Sequence, residues 1–190
     1  MAPIRRICPL GVAALIGLAA VSILGACHPA RSASQTHRFP IAHAERLTWH
    51  AASIAERDPA HAERLLKQAL ELHPYFGPAH NNLGVLHFQK GELHAAAVAF
   101  ENARSLLPAH PDPRINLGMT FERAGRVEHA LEAYSAALEV HPTHLPAIQA
   151  LARCQLRYGR RDDRSDRLLE TIALHGDESW RLWALARLLP

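Results

Sequence analysis

Residues 77–144 carry one pattern written twice. Leu83-Gly84 is followed by His87, Ala96, Phe100, Ala103 and Pro108. Thirty-four residues on, Leu117-Gly118 is followed by Phe121, Ala130, Tyr134, Ala137 and Pro142. The positions recur at one spacing with no insertion. A fixed period of this length restricts the chain to a stack of supersecondary units, none of which can bury its apolar face alone.

Each unit reads as two amphipathic helices, roughly Pro78 to Lys90 and Glu92 to Leu106 in the first copy. Gly91 and Gly125 fall where the chain must turn between them. Gly84 and Gly118 lie inside a helix, where glycine costs about 1 kcal/mol against alanine. Such a cost implies close helix contact: a missing side chain on one helix, Ala96 or Ala130 facing it, and Phe100 or Tyr134 filling the space beside them. Pro108 and Pro142 end the second helices, because proline has no N–H and its ring clashes with the preceding turn.

These residues resemble the tetratricopeptide repeat (TPR) signature, except that the early aromatic slot holds His80 and Arg114. The resemblance implies an all-α, right-handed superhelical solenoid of antiparallel helix pairs. A weaker copy occupies 43–76 in the same frame. There Trp49 stands at the Leu83 place, His50 at the glycine place, and Ala62, Leu66, Ala69 and Pro74 at the later ones. Asp58-Pro59 reads as its turn, with Asp58 an N-cap and Pro59 at N1. A degenerate copy occupies 145–178, with Leu151, Ala152, Gly159 and Leu168 in place, Arg164 at the small-residue place, and Gly176 where proline stood. Terminal units of an array are expected to be atypical. A last helix, 179–189, carries Trp180, Trp183, Leu185 and Leu189, with Asp177 or Ser179 as its cap. It reads either as a cap on the open end of the array or as an aromatic partner site.

The N-terminus has a different character. Arg5-Arg6 precede an apolar run from Ile7 to Leu24, and Leu24-Gly25-Ala26-Cys27 closes it. This is secretory signal architecture. The tetrapeptide resembles the lipobox of bacterial lipoproteins. That resemblance implies cleavage after Ala26, diacylglycerol on the Cys27 sulfur and acylation of the new amino group. An uncleaved signal anchor is the alternative, since ~18 apolar residues can just span a bilayer. Either arrangement puts the helical array outside the cytoplasmic membrane. Residues 27–42, with Pro29 and Pro40 and no helical period, read as the lipidated cysteine and a flexible tether spanning ~20 Å. His28 after the cysteine, by the enteric sorting rule, implies the outer membrane facing the periplasm; inner against outer stays open.

The formal charge of +3 falls to +1 without Arg5 and Arg6, which argues against a nucleic-acid partner. With Cys8 in the signal and Cys27 lipidated, Cys154 is left alone and reads as a small buried apolar residue. No phosphate loop, nucleophile elbow or zinc helix appears, so no enzyme activity and no cofactor is expected. The fourteen histidines lack chelating spacing: His80, His87 and His94 stand two turns apart, ~10 Å along a helix, and Pro142 separates His141 from His144. No metal is expected.

Function then falls to the surface. The TPR resemblance implies a concave groove lined by the first helices. Carried over, its layers are Leu47, Ala51 and Ile54; then Asn81, Asn82, Val85 and Phe88; then Ile115, Asn116, Met119, Glu122 and Arg123; then Gln149, Arg153, Leu156 and Arg157. Asn82 and Asn116 stand where the family often bonds a ligand backbone. The layers run from apolar to basic, and a ligand with an apolar segment followed by acidic residues or a C-terminal carboxylate is expected. The lysine–asparagine pattern of chaperone-tail clamps is missing. A basic cluster of Arg153, Arg157, Arg160, Arg161, Arg164 and Arg167, interleaved with Asp162, Asp163, Asp166 and Glu170, reads for the most part as a solvated helix surface with local ion pairs. Signal, size and tandem helices are similar to the TPR pilotins of pilus machines, which implies a secretin or pilus subunit as partner. The alternative is an adaptor that docks peptidoglycan hydrolases or synthases.

Overall fold

The computed structural model describes residues 33–188. The segment read as a signal and Cys27, the expected lipidation residue, lie outside the described residues. Within them the chain is all α-helix: α1 Ala33–Ile54, α2 Pro59–Leu72, α3 Gly77–Lys90, α4 Leu93–Leu106, α5 Asp112–Arg123, α6 Val127–Val140, α7 Leu145–Arg157, α8 Asp163–His175 and α9 Glu178–Leu188. Consecutive helices pair, and the first helices of successive pairs also touch: α1 with α3, α3 with α5, α5 with α7. This is a TPR-type solenoid. Among the described residues no helix is long and apolar enough to cross a membrane.

The repeated glycine inside the first helix has a steric cause. A Cβ on Gly84 would sit 2.6 Å from the Phe100 ring, and one on Gly118 2.5 Å from the Tyr134 ring. The large side chain of the second helix therefore lies against bare backbone. Around it Ala96, Ala103, Ala130 and Ala137 are fully buried, so the helices meet through small residues. At the turn, Gly91 adopts φ 81° and closes α3: its own N–H reaches Phe88 O, and the Glu92 N–H reaches His87 O. This pair of bonds satisfies carbonyls the helix end leaves open. Gly125 and Gly159, also at positive φ, repeat it.

The outer repeats depart from a strict 34-residue frame, each by one residue. In α1 the buried residues are Ala44, Thr48 and Ala51, while His50 is exposed. Ala51, packed in one cluster with Leu66, takes the glycine place in the helix contact; His50 does not. The Glu56-Arg57-Asp58 turn lacks the left-handed glycine, and the Arg57 and Asp58 N–H groups both bond Ile54 O. Ala51 and Ala62 are 11 residues apart, one fewer than the 12 from Gly84 to Ala96 and from Gly118 to Ala130. In the fourth pair Ser165 and Leu169, not Arg164 and Leu168, fill the small and large buried places. The turn there runs through Gly159 to Asp162, and Asp162 caps α8 reciprocally with Ser165; Ala152 and Ser165 are 13 residues apart, one more than Gly84 and Ala96.

Residues 33–42, expected within a tether, continue α1. At the other end Asp177 is the cap of α9: its carboxylate accepts from Ser179 Oγ at 2.7 Å and from Trp180 N at 3.0 Å. Trp180 and Trp183 stack edge to face at 5.2 Å and pack half-buried against the core of the last two pairs. The exposed apolar residues at this end are leucines instead: Leu174, Leu182 and Leu185.

Candidate functional site

The first helices of the pairs line three clefts. One, about 410 Å³, lies between α1 and the start of α3 and is formed by Glu45, Thr48, Trp49, Ala52, Phe76, Pro78 and Asn82. Trp49 is 78% exposed there. The second, about 150 Å³, continues it past Ala52 and Ala55 to Asn82 and Val85. The third, about 470 Å³, brings together Phe88, Met119, Glu122, Arg123, Arg153, Arg157 and Tyr158 from α3, α5 and α7.

Of the expected groove residues, Asn82 and Val85 line the apolar end, and Phe88, Met119, Glu122, Arg123, Arg153 and Arg157 meet in the third cleft. Asn81 and Asn116 join across layers: the Asn116 amide donates to Asn81 Oδ1 at 3.0 Å. Ile115 is a correction: it is buried in the core with Ala147, Ile148 and Leu151. Gln149 is half-buried and, like Asn81 and Asn116, lines none of these clefts. In the first layer Leu47 and Ile54 pack against the core cluster of α1, α2 and α3, Ala51 lines the second cleft, and Thr48, Trp49 and Ala52 line the first.

The basic end is built differently from a bare arginine patch. Glu122, 8% exposed, accepts from Arg153 Nη2 at 3.2 Å, Arg157 Nη1 at 3.4 Å and Tyr134 Oη at 3.0 Å. Burial, and then the Glu122 charge, push the Tyr134 phenol well above its ordinary range, so it stays a donor. Arg153 Nε is buried without a partner. Arg123 donates to Phe88 O at 2.8 Å and lies 5.0 Å above the Phe88 ring. Arg157, 65% exposed, lies over the Tyr158 ring at 5.5 Å. Two guanidiniums thus hold one carboxylate and a third, Arg123, lines the same cleft, an excess of two positive charges. An incoming carboxylate would find forked donors already held in place.

The aromatic pocket of Trp49 and Phe76 was hidden in the sequence because an ungapped repeat frame turns Trp49 toward a core place. The absence of a glycine at the Asp58-Pro59 turn was the available signal. Of the other arginines, Arg161 pairs locally with Asp166, while Arg160 reaches Glu128 on α6 at 2.5 Å.

Solved structures of other proteins share the fold. MamA aligns at 20% identity and TM-score 0.58, covering 81% of this chain and 85% of that one. An O-GlcNAc transferase mutant from Thermobaculum terrenum aligns at 24% identity and TM-score 0.63 over 76% of this chain, which spans 26% of that enzyme. The first TPR of Spaghetti, bound to an HSP90 peptide, aligns at 16% identity and TM-score 0.58, covering 63% of this chain and 95% of that one. No curated protein sequence matches the chain. The tetratricopeptide repeat family matches residues 53–111 and again residues 111–154. The two matches together run over more than half of the 190 residues, and the chain belongs to the tetratricopeptide repeat family, whose members are protein-interaction scaffolds.

Proposed function

We propose that the protein is a lipid-anchored scaffold of the bacterial envelope that assists assembly of a pilus or secretion machine, as a pilotin does. It would hold a peptide segment of a secretin or pilus subunit along its first helices. The observation that supports the binding mode is the third cleft, where Arg123, Arg153 and Arg157 line one opening and Arg153 and Arg157 are held by buried Glu122. The anchor rests on Leu24-Gly25-Ala26-Cys27 behind its apolar run, and outer-membrane placement on His28. Attachment through several acyl chains would be stable, since each buried CH2 adds about 0.8 kcal/mol.

Crosslinking of the membrane-bound protein, followed by mass spectrometry, tests this reading. A secretin or pilus subunit is the expected partner, lost when Arg153→Glu and Arg157→Glu are combined. Recovery of a peptidoglycan hydrolase or synthase would replace the pilus role with the wall-adaptor role. A free, unacylated protein in the cytosol would end the envelope reading altogether.

A further inference from the structure

Consecutive helices are packed together and joined by short turns, so they run antiparallel. Every turn from a second helix to the next first helix therefore lies at one edge of the array, and the chain enters α1 at that same edge. The two edges differ in composition. The entry-edge turns 73–76, 107–111 and 141–144 hold no Lys, Arg, Asp or Glu. Each turn at the opposite edge, 55–58, 91–92, 124–126 and 158–162, holds at least one of them.

At the first pair the entry edge is also apolar. Ile41 continues the buried stripe of α1 that runs through Ala44, Thr48 and Ala51, and Leu72 continues the buried stripe of α2 that runs through Leu65 and Ala69. Ile54 and Pro59 flank the α1–α2 turn, and Ile41 and Leu72 each stand 13 residues from them, at one level of the pair. Both stripes thus run past the core and leave their end residues exposed. Tyr75, in the next turn, is 76% exposed.

From this we infer that the entry edge of the first pair rests on the lipid surface, with Ile41 and Leu72 toward the acyl chains and the Tyr75 phenol at the headgroups. A tyrosine beside aliphatic side chains suits a bilayer interface, where one end of the ring is apolar and the other wet. Turns without fixed charges leave little there to desolvate. The chain itself argues for lipid over a protein occupant. Cys27, the residue expected to carry the acyl chains, precedes Ala33 by six residues, which span at most about 22 Å. The tether therefore delivers lipid to this edge, and the opposite edge is a helix length, ~21 Å, farther away. Arg123, Gly125, Arg157 and Tyr158 line the third cleft at that far edge, so the cleft opens away from the headgroups. This inference rests on the lipid-anchor reading above and adds an orientation to it.

The test uses full-length acylated protein, purified from bacterial membranes and reconstituted into phosphatidylethanolamine–phosphatidylglycerol vesicles. A fluorescent NBD group is attached at Glu71→Cys, in the last turn of α2, or at Glu56→Cys, in the opposite-edge turn of the same pair; both glutamates are exposed. Lipids with a nitroxide on the headgroup quench NBD by proximity. Quenching at position 71 is expected to exceed that at position 56 at least about threefold, since α2 holds the two labels ~20 Å apart. Leu72→Ser combined with Tyr75→Ser removes the difference; both side chains are exposed, so the fold is kept. A difference that survives this substitution assigns the orientation to the tether alone and overturns the contact. Equal quenching at the two positions, or more at position 56, in protein that floats with the vesicles overturns it too and leaves the anchor reading standing. Protein that does not float with the vesicles overturns the anchor reading, and this inference with it.

Discussion

The phenol of Tyr134 donates a 3.0 Å hydrogen bond to the Glu122 carboxylate, linking α6 to α5 beneath the arginine cleft. Tyr134 fills the place that Leu66, Phe100 and Leu169 fill in the other pairs, and Glu122 the place of Phe88. One repeat has therefore exchanged an apolar contact for a polar one, and the cleft arginines are attached to it. Leaving either partner unmatched in the core costs about 1–3 kcal/mol, whereas replacing both by apolar groups is close to neutral. Glu122→Leu and Tyr134→Phe should each lower stability in urea unfolding. The double variant should be more stable than the sum of the two by at least about 0.5 kcal/mol. Additive losses would contradict the link.

The helix contacts make a steric prediction. Gly118→Leu places its Cβ and more against the Tyr134 ring and should unfold the array. Gly118→Ala, the smaller insult, should cost about 1–3 kcal/mol as overpacking does. Gly125→Ala meets no neighbour within 4 Å but holds φ at 73°, and should cost only about 1–2 kcal/mol. Thermal melts of the three variants, ranked in that order, check the account. A wild-type melt for Gly118→Leu would refute it.

Acid stability has a named contributor. Glu63 on α2 takes Lys67 at 2.7 Å and also Lys90 at the end of α3, so it joins the first two pairs. Lys67 and Lys90 hold its carboxyl down to about 2 from an ordinary 4.5. A folded pKa below the unfolded one adds stability above pH ~4.5 that disappears as pH falls toward ~2. Glu63→Gln should melt lower than wild type at pH 7 and converge with it near pH 2. A gap that persists at pH 2 would assign the loss to packing instead.

Cys154 should be inert. Its side chain is buried in the α7 core, and burial first, then the Glu122 charge, push the thiol up to about 11. Iodoacetamide at pH 8 should leave the Cys154 peptide unmodified in the native protein and modify it in urea. Labelling of the native protein would show that α7 opens.

The parts of the fold readable beforehand are those where one residue type has one physical reason. Gly84 and Gly118 must admit a ring, and Ala96 and Ala130 must admit a helix, so the central pairs could be read from spacing alone. The end pairs could not. A turn gains or loses a residue at little energetic cost, because loop closure depends weakly on length. Such a change at Asp58 or Asp162 turns every later or earlier residue of the helix by about 100°. That rotation moved Trp49 into the groove and replaced Arg164 by Ser165 in the core. Ile115 differs for a related reason: it stands at a family groove position, but an isoleucine gains more from burial beside Ile148 and Leu151 than from facing water. The Glu122 cage was unreadable for another reason. Tyr134, Arg153 and Arg157 lie 12, 31 and 35 residues from Glu122, and the repeat pattern, which placed Glu122 and the two arginines in the groove, says nothing of their pairing.

The central claim is that a partner is held along the first helices, with the arginine cleft at one end. A photo-crosslinking amino acid placed at Met119, exposed in that cleft, and separately at Val98, exposed on the second helix α4, tests it in membranes. The account requires one envelope protein to crosslink through Met119 and not through Val98, with the product lost in the Arg153→Glu, Arg157→Glu background. The same protein captured through Val98 and not through Met119 would contradict it.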